Sequence, residues 1–240
     1  TWMSGAGFAP IGNNLSHFTG DFNGQNYVID NLYINRPTQA YVGLFGKISG
    51  SGILQNIGLT DVDMTGLYHM GALVGDNAAT VTNAYSTGTL TGTSATTFAG
   101  IGGLIGSLNG VVNTSYSSAN IIGAGDTGGL VGVIYGASGT RTINDSYSLG
   151  SVQGSLVGGY SVGGLVGSIQ SAGSAINRSY SSGSVQLLSS GNVGGLVGST
   201  GGATVTNSYW DMSTSGQSTS AAGTGLTTTQ ALTQTSYTGF

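Results

Sequence analysis

The two histidines, His17 and His69, are the first residues in this sequence whose side chains could do chemistry. A histidine acts as a general acid or base, or binds a metal ion, when substrate groups or further ligands converge on it. Neither histidine has an equivalent in the repeats described below, and neither has convergent ligands. We predict that both occupy loop or solvent-exposed positions, and the sequence predicts no catalytic, cofactor-binding or metal-binding residue.

Asp61 and Asp63 are the second candidate, because alternation along a strand would point both carboxylates to the same side. A Ca²⁺ ion takes six to eight oxygen ligands, of which backbone carbonyls at a bend could supply some. The competing interpretation is a polar outer face of a strand, and the sequence favours that interpretation over a calcium site.

A polysaccharide-acting enzyme is the main catalytic alternative. A glycoside hydrolase needs two carboxylates across a cleft, and a lyase needs acids together with an Arg or a Lys. Arg141 and Arg178 fall in neighbouring repeats, with Asp145 close to Arg141 in sequence. Arg178 lies inside its tyrosine segment whereas Arg141 precedes one, so the arginines do not form one column. We predict that the chain is not an enzyme, and keep a lyase or hydrolase as the alternative.

Alternating threonines in "TVTNAYSTGTLTGT" (80–93) raise a less favoured alternative, an ice-binding face. Such a face requires threonines that are stacked from one repeat to the next. The positions equivalent to Thr87, Thr89 and Thr91 are, in the next two repeats, Ser118, Asn120 and Ile122, then Leu149, Ser151 and Gln153. The threonine ladder is therefore not continued.

Four asparagines, Asn14, Asn113, Asn144 and Asn177, begin Asn-x-Ser/Thr glycosylation sequences. Three of the four fall at the same place in successive repeats. Hydrogen bonding at the ends of strands explains this recurrence better than glycan attachment does.

The overall composition indicates strands and turns. Glycine makes up 46 of the 240 residues, charged residues only 5%, and glutamate is absent, whereas helix surfaces are usually rich in Glu, Lys and Arg. Four cations and a net charge of −4 argue against a nucleic-acid partner. Without cysteine there are no disulfides or thiolate metal sites. No apolar run approaches the roughly 20 residues of a membrane-spanning helix, so we expect no membrane insertion.

A repeat of about 31 residues organises the chain. Its most regular feature is a Gly-Leu-aliphatic-Gly rung, here called the rung, which ends at Gly46, Gly75, Gly106, Gly132, Gly167 and Gly198. These closing glycines are 29, 31, 26, 35 and 31 residues apart. Such spacing predicts fixed strands joined by loops of variable length.

A second column follows the later rungs, in segments such as "VNTSYS" (112–117) and "INRSYS" (176–181). Its tyrosines are Tyr85, Tyr116, Tyr147, Tyr180 and Tyr209, and the first four are followed five residues later by Leu90, Ile121, Val152 and Val185. The stretch 54–66 is a degenerate earlier copy. Three short strands per repeat predict a three-sided parallel β-helix, in which equivalent residues stack at roughly 4.8 Å.

We predict one β-helical domain over residues 1–240. Residues 1–40 form the first coils or a cap, with residues 8–36 making one or two coils. The repeats occupy residues 41–210, and residues 211–240 form a C-terminal cap or extension. Within that extension "GLTTTQALTQ" (225–234) predicts a short helix with a Thr cap. About seven coils would give a rod of about 35 Å.

The repeated "VGGLVG" with an intervening "NSYS-x-G-x-V" resembles the GLUG motif of bacterial surface adhesins of the filamentous haemagglutinin type. The opening "FAPIG…FTGDFNGQNYVIDNLYI…VGLFG" and the closing "NSYWDMSTSGQSTSAAGTGLTTTQAL" resemble the segments that flank such arrays. The resemblance implies a right-handed parallel β-helix in an exported protein. It supplies no ligand. Some proteases carry the motif as an accessory region, but this chain has no His-Glu-x-x-His sequence, so the resemblance implies no peptidase function.

The favoured function is therefore a non-catalytic structural and adhesive module, secreted or displayed at a bacterial surface. Its expected partners are a glycan or protein of a host or neighbouring cell, and further copies of the chain stacked end to end into filaments. We expect binding at variable loops such as 93–100 and 133–141.

Overall fold

The computed structural model of the chain describes residues 5–93, 99–136, 139, 141–154 and 160–240. The parallel strands form a β-solenoid of about six turns with roughly 31 residues per coil, and about 5% of the chain is helical. The predicted all-β parallel β-helix is confirmed, with about one turn fewer than the seven expected.

The described strands are short, because each coil bends at several corners. In chain order they are β1 Phe22–Asp30, β2 Tyr33–Asn35, β3 Phe45–Ile48, β4 Ile53–Gly66, β5 Val74–Asn77, β6 Thr80–Gly92, β7 Gly100–Gly102, β8 Ile105–Leu108, β9 Val111–Asn113, β10 Tyr116–Ser117, β11 Asn120–Gly123, β12 Asp126–Gly128, β13 Val131–Ile134, β14 Thr142–Asn144, β15 Tyr147–Ser148, β16 Val152–Gly154, β17 Tyr160–Gly163, β18 Val166–Ile169, β19 Ala175–Asn177, β20 Tyr180–Ser181, β21 Val185–Leu187, β22 Gly191–Gly194, β23 Val197–Thr200, β24 Thr204–Thr206, β25 Tyr209–Asp211 and β26 Thr224–Leu226.

These strands form three sheets. The rung sheet has the order β23-β18-β13-β8-β5-β3, and the short sheet has the order β22-β17-β12-β7. The remaining 16 strands form a long sheet that contains the tyrosine segments and the aliphatic segments that follow them. Every strand pairing in the three sheets is parallel, as expected when each coil lies on its predecessor.

The register between coils matches the sequence repeat. Val166 is paired with Val131 on one side and Val197 on the other, and the Leu165 N–H donates to the Leu196 carbonyl at 2.8 Å. Leu165 and Leu196 are therefore direct neighbours in adjacent coils, as the repeat predicts.

The interior is a set of aliphatic columns that no single coil could bury alone. One column follows the tyrosine segments, and its members are all almost fully buried: Ile34, Met64, Leu90, Ile121, Val152 and Val185. Fully burying such side chains stabilises the fold by about 1.5–3 kcal/mol each. The same stacking turns a sequence repeat into a continuous core.

Glycine is required in the rung and directly before it, because the rung sheet and the short sheet pack closely. A Cβ atom on Gly163 would lie 2.0 Å from the Val166 carbonyl oxygen, and one on Gly167 would lie 2.6 Å from the Thr127 nitrogen. Both obstructing atoms belong to the backbone, so no side-chain rearrangement relieves the overlap. This close approach explains why glycines recur at both positions.

The N-terminal segment makes one coil rather than two. Ile11 and Phe18 form parallel bridges to Phe45 and Ile48 of β3, while β1 and β2 pair with β4. The first strand, β1, lies at the outer edge of the long sheet. It contains a bulge in which Gln25 and Asn26 adopt left-handed φ angles of 53° and 63°.

The C-terminal segment lies across the end of the solenoid. Its helices are α1 Met212–Ser215, α2 Thr228–Ala231 and a 3₁₀ turn at Gln234–Ser236. Thr227 caps α2 in a capping box with Gln230, which confirms the predicted short Thr-capped helix. The Ser220 Oγ accepts hydrogen bonds from the Leu196 and Val197 N–H groups of the last rung at 3.2 and 2.8 Å.

Candidate functional site

A ladder of tyrosines runs along one outer face of the long sheet. The rings of Tyr85 and Tyr116 are parallel at 5.1 Å between centroids, and those of Tyr116 and Tyr147 at 4.7 Å. Tyr85 is the first ring of the ladder, because the coil before it has Gly58 at the tyrosine position. A Cβ atom on Gly58 would overlap the Tyr85 ring. We call Tyr85, Tyr116 and Tyr147 the tyrosine ladder.

A recurring bend holds these rings in register. The residue two places before each repeat tyrosine, and before Gly58 in the preceding coil, adopts a left-handed backbone with φ between 43° and 58°: Asn56, Asn83, Thr114, Asp145, Arg178 and Asn207. The buried serine that follows the bend bonds to the coil before it. The Ser146 Oγ accepts from the Ser115 N–H at 3.2 Å, and the Ser208 Oγ accepts from the Ser179 N–H at 3.1 Å.

The asparagines that precede the bend form a side-chain ladder. The Asn144 Nδ2 donates to the Asn113 Oδ1 at 2.9 Å, and the Asn177 Nδ2 donates to the Asn144 Oδ1 at 2.9 Å. The Thr206 hydroxyl donates to the Asn177 Oδ1 at 2.7 Å. This arrangement confirms strand-end hydrogen bonding as the role of three of the glycosylation-like sequences. The fourth, at Asn14, has its Oδ1 accepting from the Lys47 Nζ at 3.3 Å.

An aromatic cleft opens where the tyrosine ladder stops. Tyr180 is in strand register with Tyr147, but its ring packs edge-on against Tyr237 of the C-terminal segment at 6.2 Å. The cleft has a volume of about 420 Å³ and is lined by Tyr147, Tyr180, Gln234, Tyr237 and Phe240. We call it the aromatic cleft.

The hydroxyl of Tyr180 in the cleft and that of Tyr116 in the ladder are held in their protonated form. Burial, followed by the neighbouring Tyr237, raises the pKa of Tyr180 well above its usual value. Burial, followed by Tyr147 and Tyr85, also raises the pKa of Tyr116. At physiological pH these hydroxyls are therefore neutral hydrogen-bonding groups.

His69 lies in a bend, as predicted, but it is half-buried in an aromatic cluster rather than surrounded by solvent. Its ring stacks on Tyr41 at 5.0 Å and meets Tyr68 edge-on at 5.1 Å, and its Nδ1 is hydrogen-bonded to the Ser107 Oγ. Burial is the main cause that lowers the pKa of His69, although the Asp76 charge acts in the opposite direction.

The groups around His69 do not form an exposed catalytic arrangement. The Ser107 side chain has no solvent exposure, so no substrate reaches it in this conformation. Asp76 accepts a hydrogen bond from the Tyr135 hydroxyl at 2.9 Å and forms an ion pair with Lys47 at 3.0 Å. The Lys47 Nζ also lies 4.9 Å from the centre of the Tyr41 ring. The cluster therefore ties four successive coils together, those of β3, β5, β8 and β13, and His17 is not part of it.

Asp61 and Asp63 are both exposed in β4. The pairing of β4 with β6 shifts between Leu59 and Val62, and Asp61 adopts a left-handed φ of 49°. Both carboxylates nevertheless face outward, with buried Val62 between them, as the polar outer face of a strand predicts. Across the described residues, no group of three or more His, Asp or Glu side chains is placed to hold a metal ion.

Asp145 pairs with Arg178, not with Arg141, which is its closer neighbour in sequence. The Arg178 Nε and Nη2 donate to the two Asp145 carboxylate oxygens at 2.6 and 2.7 Å, and this contact lowers the pKa of Asp145. Arg141 is buried, and its Nε donates to the Ser174 Oγ at 3.4 Å. The expectation that Arg141 and Arg178 do not form one column is confirmed.

Asp126 is a buried carboxylate that the sequence did not single out. Its oxygens accept hydrogen bonds from the Ser161 N–H at 2.9 Å and the Gln170 Nε2 at 3.1 Å. Burial is the leading cause of its raised pKa. Since these donors come from the next coil, Asp126 links β12 to the strands stacked on it.

The threonine positions follow the predicted register and break the ladder as expected. Thr89 is paired with Asn120, and Thr91 with Ile122. Ile122 is paired in turn with Gln153. The loop predictions at 93–100 and 133–141 fall partly on residues outside the described ranges, at 94–98, 137–138 and 140. None of the helices in the described ranges is both long and apolar enough to cross a bilayer.

Comparison with known proteins gives partial matches. The family profile described as "The GLUG motif" matches residues 189–213. Half of the chain is 35% identical, over 124 residues, to "Halomucin" of Haloquadratum walsbyi, of which the match covers 1%. A third of the chain is 39% identical, over 82 residues, to a "Putative Gly-rich membrane protein" of Evansella cellulosilytica, of which the match covers 10%. The chain thus spans a small part of these relatives.

One solved structure has the same fold over most of the chain. It is described as a "putative immunoglobulin A1 protease from Bacteroides ovatus", with a TM-score of 0.68 and 22% sequence identity. The likeness covers 91% of this chain and 72% of that one, and at this identity it shows the fold alone. The chain therefore contains a GLUG motif, carried on a parallel β-solenoid.

Proposed function

We propose that this chain is a non-catalytic, rigid module of a secreted or cell-surface protein, and that it acts in adhesion. The observation that carries the proposal is the aromatic surface formed by the tyrosine ladder and the aromatic cleft on a stack of in-register coils. Tyrosine side chains offer a large contact area with one polar end and lose little conformational entropy on binding. An array of them on a rigid support suits the recognition of another surface.

The relatives support an extracellular location. One is named "Halomucin" and the other a "Putative Gly-rich membrane protein", and each is much longer than the matched segment. A rigid module of about six coils is suited to be one part of a long surface protein. On this proposal its partners are glycans or proteins of another cell surface rather than nucleic acids.

The proposal is tested with microspheres that carry the chain through a biotin tag. We expect them to be retained under laminar flow on mucin-coated or fibronectin-coated glass several-fold better than microspheres that carry albumin. Retention no better than that of the albumin control on both surfaces would overturn the adhesive role.

The enzyme alternative has a separate test. We expect no product when the chain is incubated with a panel of neutral and acidic polysaccharides. The appearance of new reducing ends or of unsaturated products would favour a hydrolase or a lyase.

A further inference from the structure

The tyrosine ladder leaves one ring face open. The Tyr116 ring is covered on both faces, by Tyr85 at 5.1 Å and by Tyr147 at 4.7 Å, whereas the ladder covers only one face of Tyr147. Continued stacking would cover the other face of Tyr147 with Tyr180, but the Tyr180 ring packs on Tyr237 instead. Tyr147 keeps 37% of its surface exposed and lines the aromatic cleft. The cleft thus lies where the next ring of the ladder would be.

The opposite wall of the cleft is fixed before any ligand arrives. The Tyr237 hydroxyl donates to the Ala231 carbonyl at 2.8 Å, and the Tyr209 hydroxyl donates to the Thr238 carbonyl at 2.8 Å. The Asn207 Nδ2 donates to the Gly239 carbonyl at 3.0 Å. These bonds hold Tyr237 and Phe240 in place, so little ordering is needed when a ligand binds.

The lining of the cleft is neutral and amphipathic. The Gln234 carboxamide supplies donors and an acceptor, and the tyrosine hydroxyls add further polar groups. No cation is among the described residues that line the cleft. The nearest arginine in sequence, Arg178, is engaged by Asp145. The described lining residues therefore offer no cationic partner for a phosphate or a carboxylate.

These properties define one class of ligand. It must present a flat apolar face of about the size of an aromatic ring, carry neutral polar groups at its rim, and bear no negative charge. A pyranose ring meets all three requirements, with its C–H face on an aromatic ring and its hydroxyls toward amide and phenol groups. A cleft of about 420 Å³ is also within the range of small-ligand sites, about 300–1,000 Å³.

We propose that the aromatic cleft binds a neutral pyranose at the end of a glycan, with the sugar stacked on the open face of Tyr147. This inference rests on the proposed adhesive function and gives that function a ligand class and a position. Tyr147 is the platform, Phe240 and Tyr237 close the opposite side, and Gln234 bonds to the sugar hydroxyls.

The test is a titration of the full chain with the methyl pyranosides of glucose, galactose, mannose and N-acetylglucosamine, followed by saturation-transfer NMR. We expect at least one of them to bind with a dissociation constant of about 1–10 mM, as suits a single sugar in a shallow site. Tyr147→Ala weakens that binding at least about tenfold, and Tyr147→Phe, which keeps the ring, leaves it within about twofold.

Tyr85→Ala is the matched control, because Tyr85 belongs to the same ladder but lies two coils away from the cleft. Circular dichroism and urea unfolding of each variant verify that the solenoid is intact. If Tyr147→Ala does not fold, Phe240→Ala replaces it, since Phe240 is 56% exposed and lies near the chain end.

Three results would overturn the inference. They are the absence of binding by every pyranoside at about 10 mM, equal weakening by Tyr85→Ala and Tyr147→Ala, and tighter binding of N-acetyltyrosinamide or adenosine than of any sugar. The outcome is distinguishable from that of the microsphere test. Adhesion without pyranoside binding leaves the adhesive function standing, whereas pyranoside binding without adhesion removes the adhesive function and keeps the site.

Discussion

The glycines in the rung and directly before it are residues at which this fold tolerates a change poorly. Gly163→Ala places a Cβ atom 2.0 Å from the Val166 carbonyl oxygen and 2.7 Å from the Gly198 nitrogen. Because the strands must separate to admit it, we expect the free energy of unfolding to fall by about 3 kcal/mol or more. Equilibrium unfolding in urea measures this change.

Gly20→Ala is the control for that substitution. Gly20 is exposed, and its added Cβ atom would meet only the Phe18 ring, at 3.4 Å or more. We expect a change of less than about 1 kcal/mol. Equal losses in the two variants would contradict the close-packing explanation of the rung.

His69 gives the stability a dependence on pH. Its pKa is lowered in the folded state, mainly by burial, so the unfolded chain takes up a proton first as the pH falls. The free energy of unfolding therefore decreases as the pH falls below about 6.5. At pH 8 the imidazole is neutral in both states, so His69 causes no such loss of stability there. We expect His69→Gln to reduce the change of the urea unfolding midpoint between about pH 5.5 and 8.

His17→Gln serves as the comparison for the pH series, since His17 lies outside the aromatic cluster. The two variants are compared by how steeply the urea midpoint changes with pH. The midpoint at one pH is not used, because His69→Gln also removes the Tyr41 stacking and lowers the stability at every pH. An unchanged slope in His69→Gln would show that burial of this imidazole does not control the pH response.

Among the structural elements, the C-terminal segment protects the last coil from pairing with another chain. Ser220 accepts from the Leu196 and Val197 N–H groups, and the Thr219 carbonyl accepts from the Gly195 N–H at 3.0 Å. Removing residues 212–240 leaves these donors on an open strand edge, which is a template for association. We expect concentration-dependent assembly of the truncated chain in light scattering after size-exclusion chromatography.

A shorter truncation distinguishes the effect of the exposed strand edge from the effect of residues 227–240. Removing only residues 227–240 keeps Ser220 and β26 in place, so we expect less assembly than with the longer deletion. If neither truncation assembles more than the intact chain, the segment does not control end-to-end contact. The predicted filament formation would then have to involve the β1 end, where the bulge at Gln25 and Asn26 interrupts the edge.

The stacked elements were predictable because in a parallel solenoid the sequence repeat is also the strand register. Tyr116 is paired with Tyr147, and Ile121 with Val152, as their repeated segments indicate. The loops between strands vary in length, but that variation does not move equivalent residues out of register.

The aromatic cleft could not be predicted in the same way. Tyr237 and Phe240 belong to a segment outside the repeat, and no periodicity relates them to Tyr180. The His69 cluster has the same origin, because Tyr41, Tyr68 and Tyr135 come from separate coils without a shared motif. A usable signal was that Tyr41 stands two residues before Gly43, which opens one rung, and His69 three residues before Ala72, which opens the next.

At the scale of the whole molecule, stability comes from apolar columns and backbone ladders, with little from charge. Charged residues make up 5% of the chain, and the described residues contain ion pairs at Lys47–Asp76 and Arg178–Asp145. We expect the free energy of unfolding to change by less than about 1 kcal/mol between about 0.05 and 1 M NaCl. A larger loss at high salt would show that electrostatic attraction carries more of the fold than the structure indicates.

The equivalence of the stacked coils allows such a protein to change length one coil at a time. Neighbouring coils present nearly the same upper and lower surfaces, so a coil meets an equivalent partner wherever it is inserted. Excising residues 168–198 joins Gly167 to Ser199 and restores the Gly-Ser step found at 167–168. Unequal recombination within the gene would therefore lengthen or shorten the solenoid by whole coils, while the C-terminal segment stays at its end.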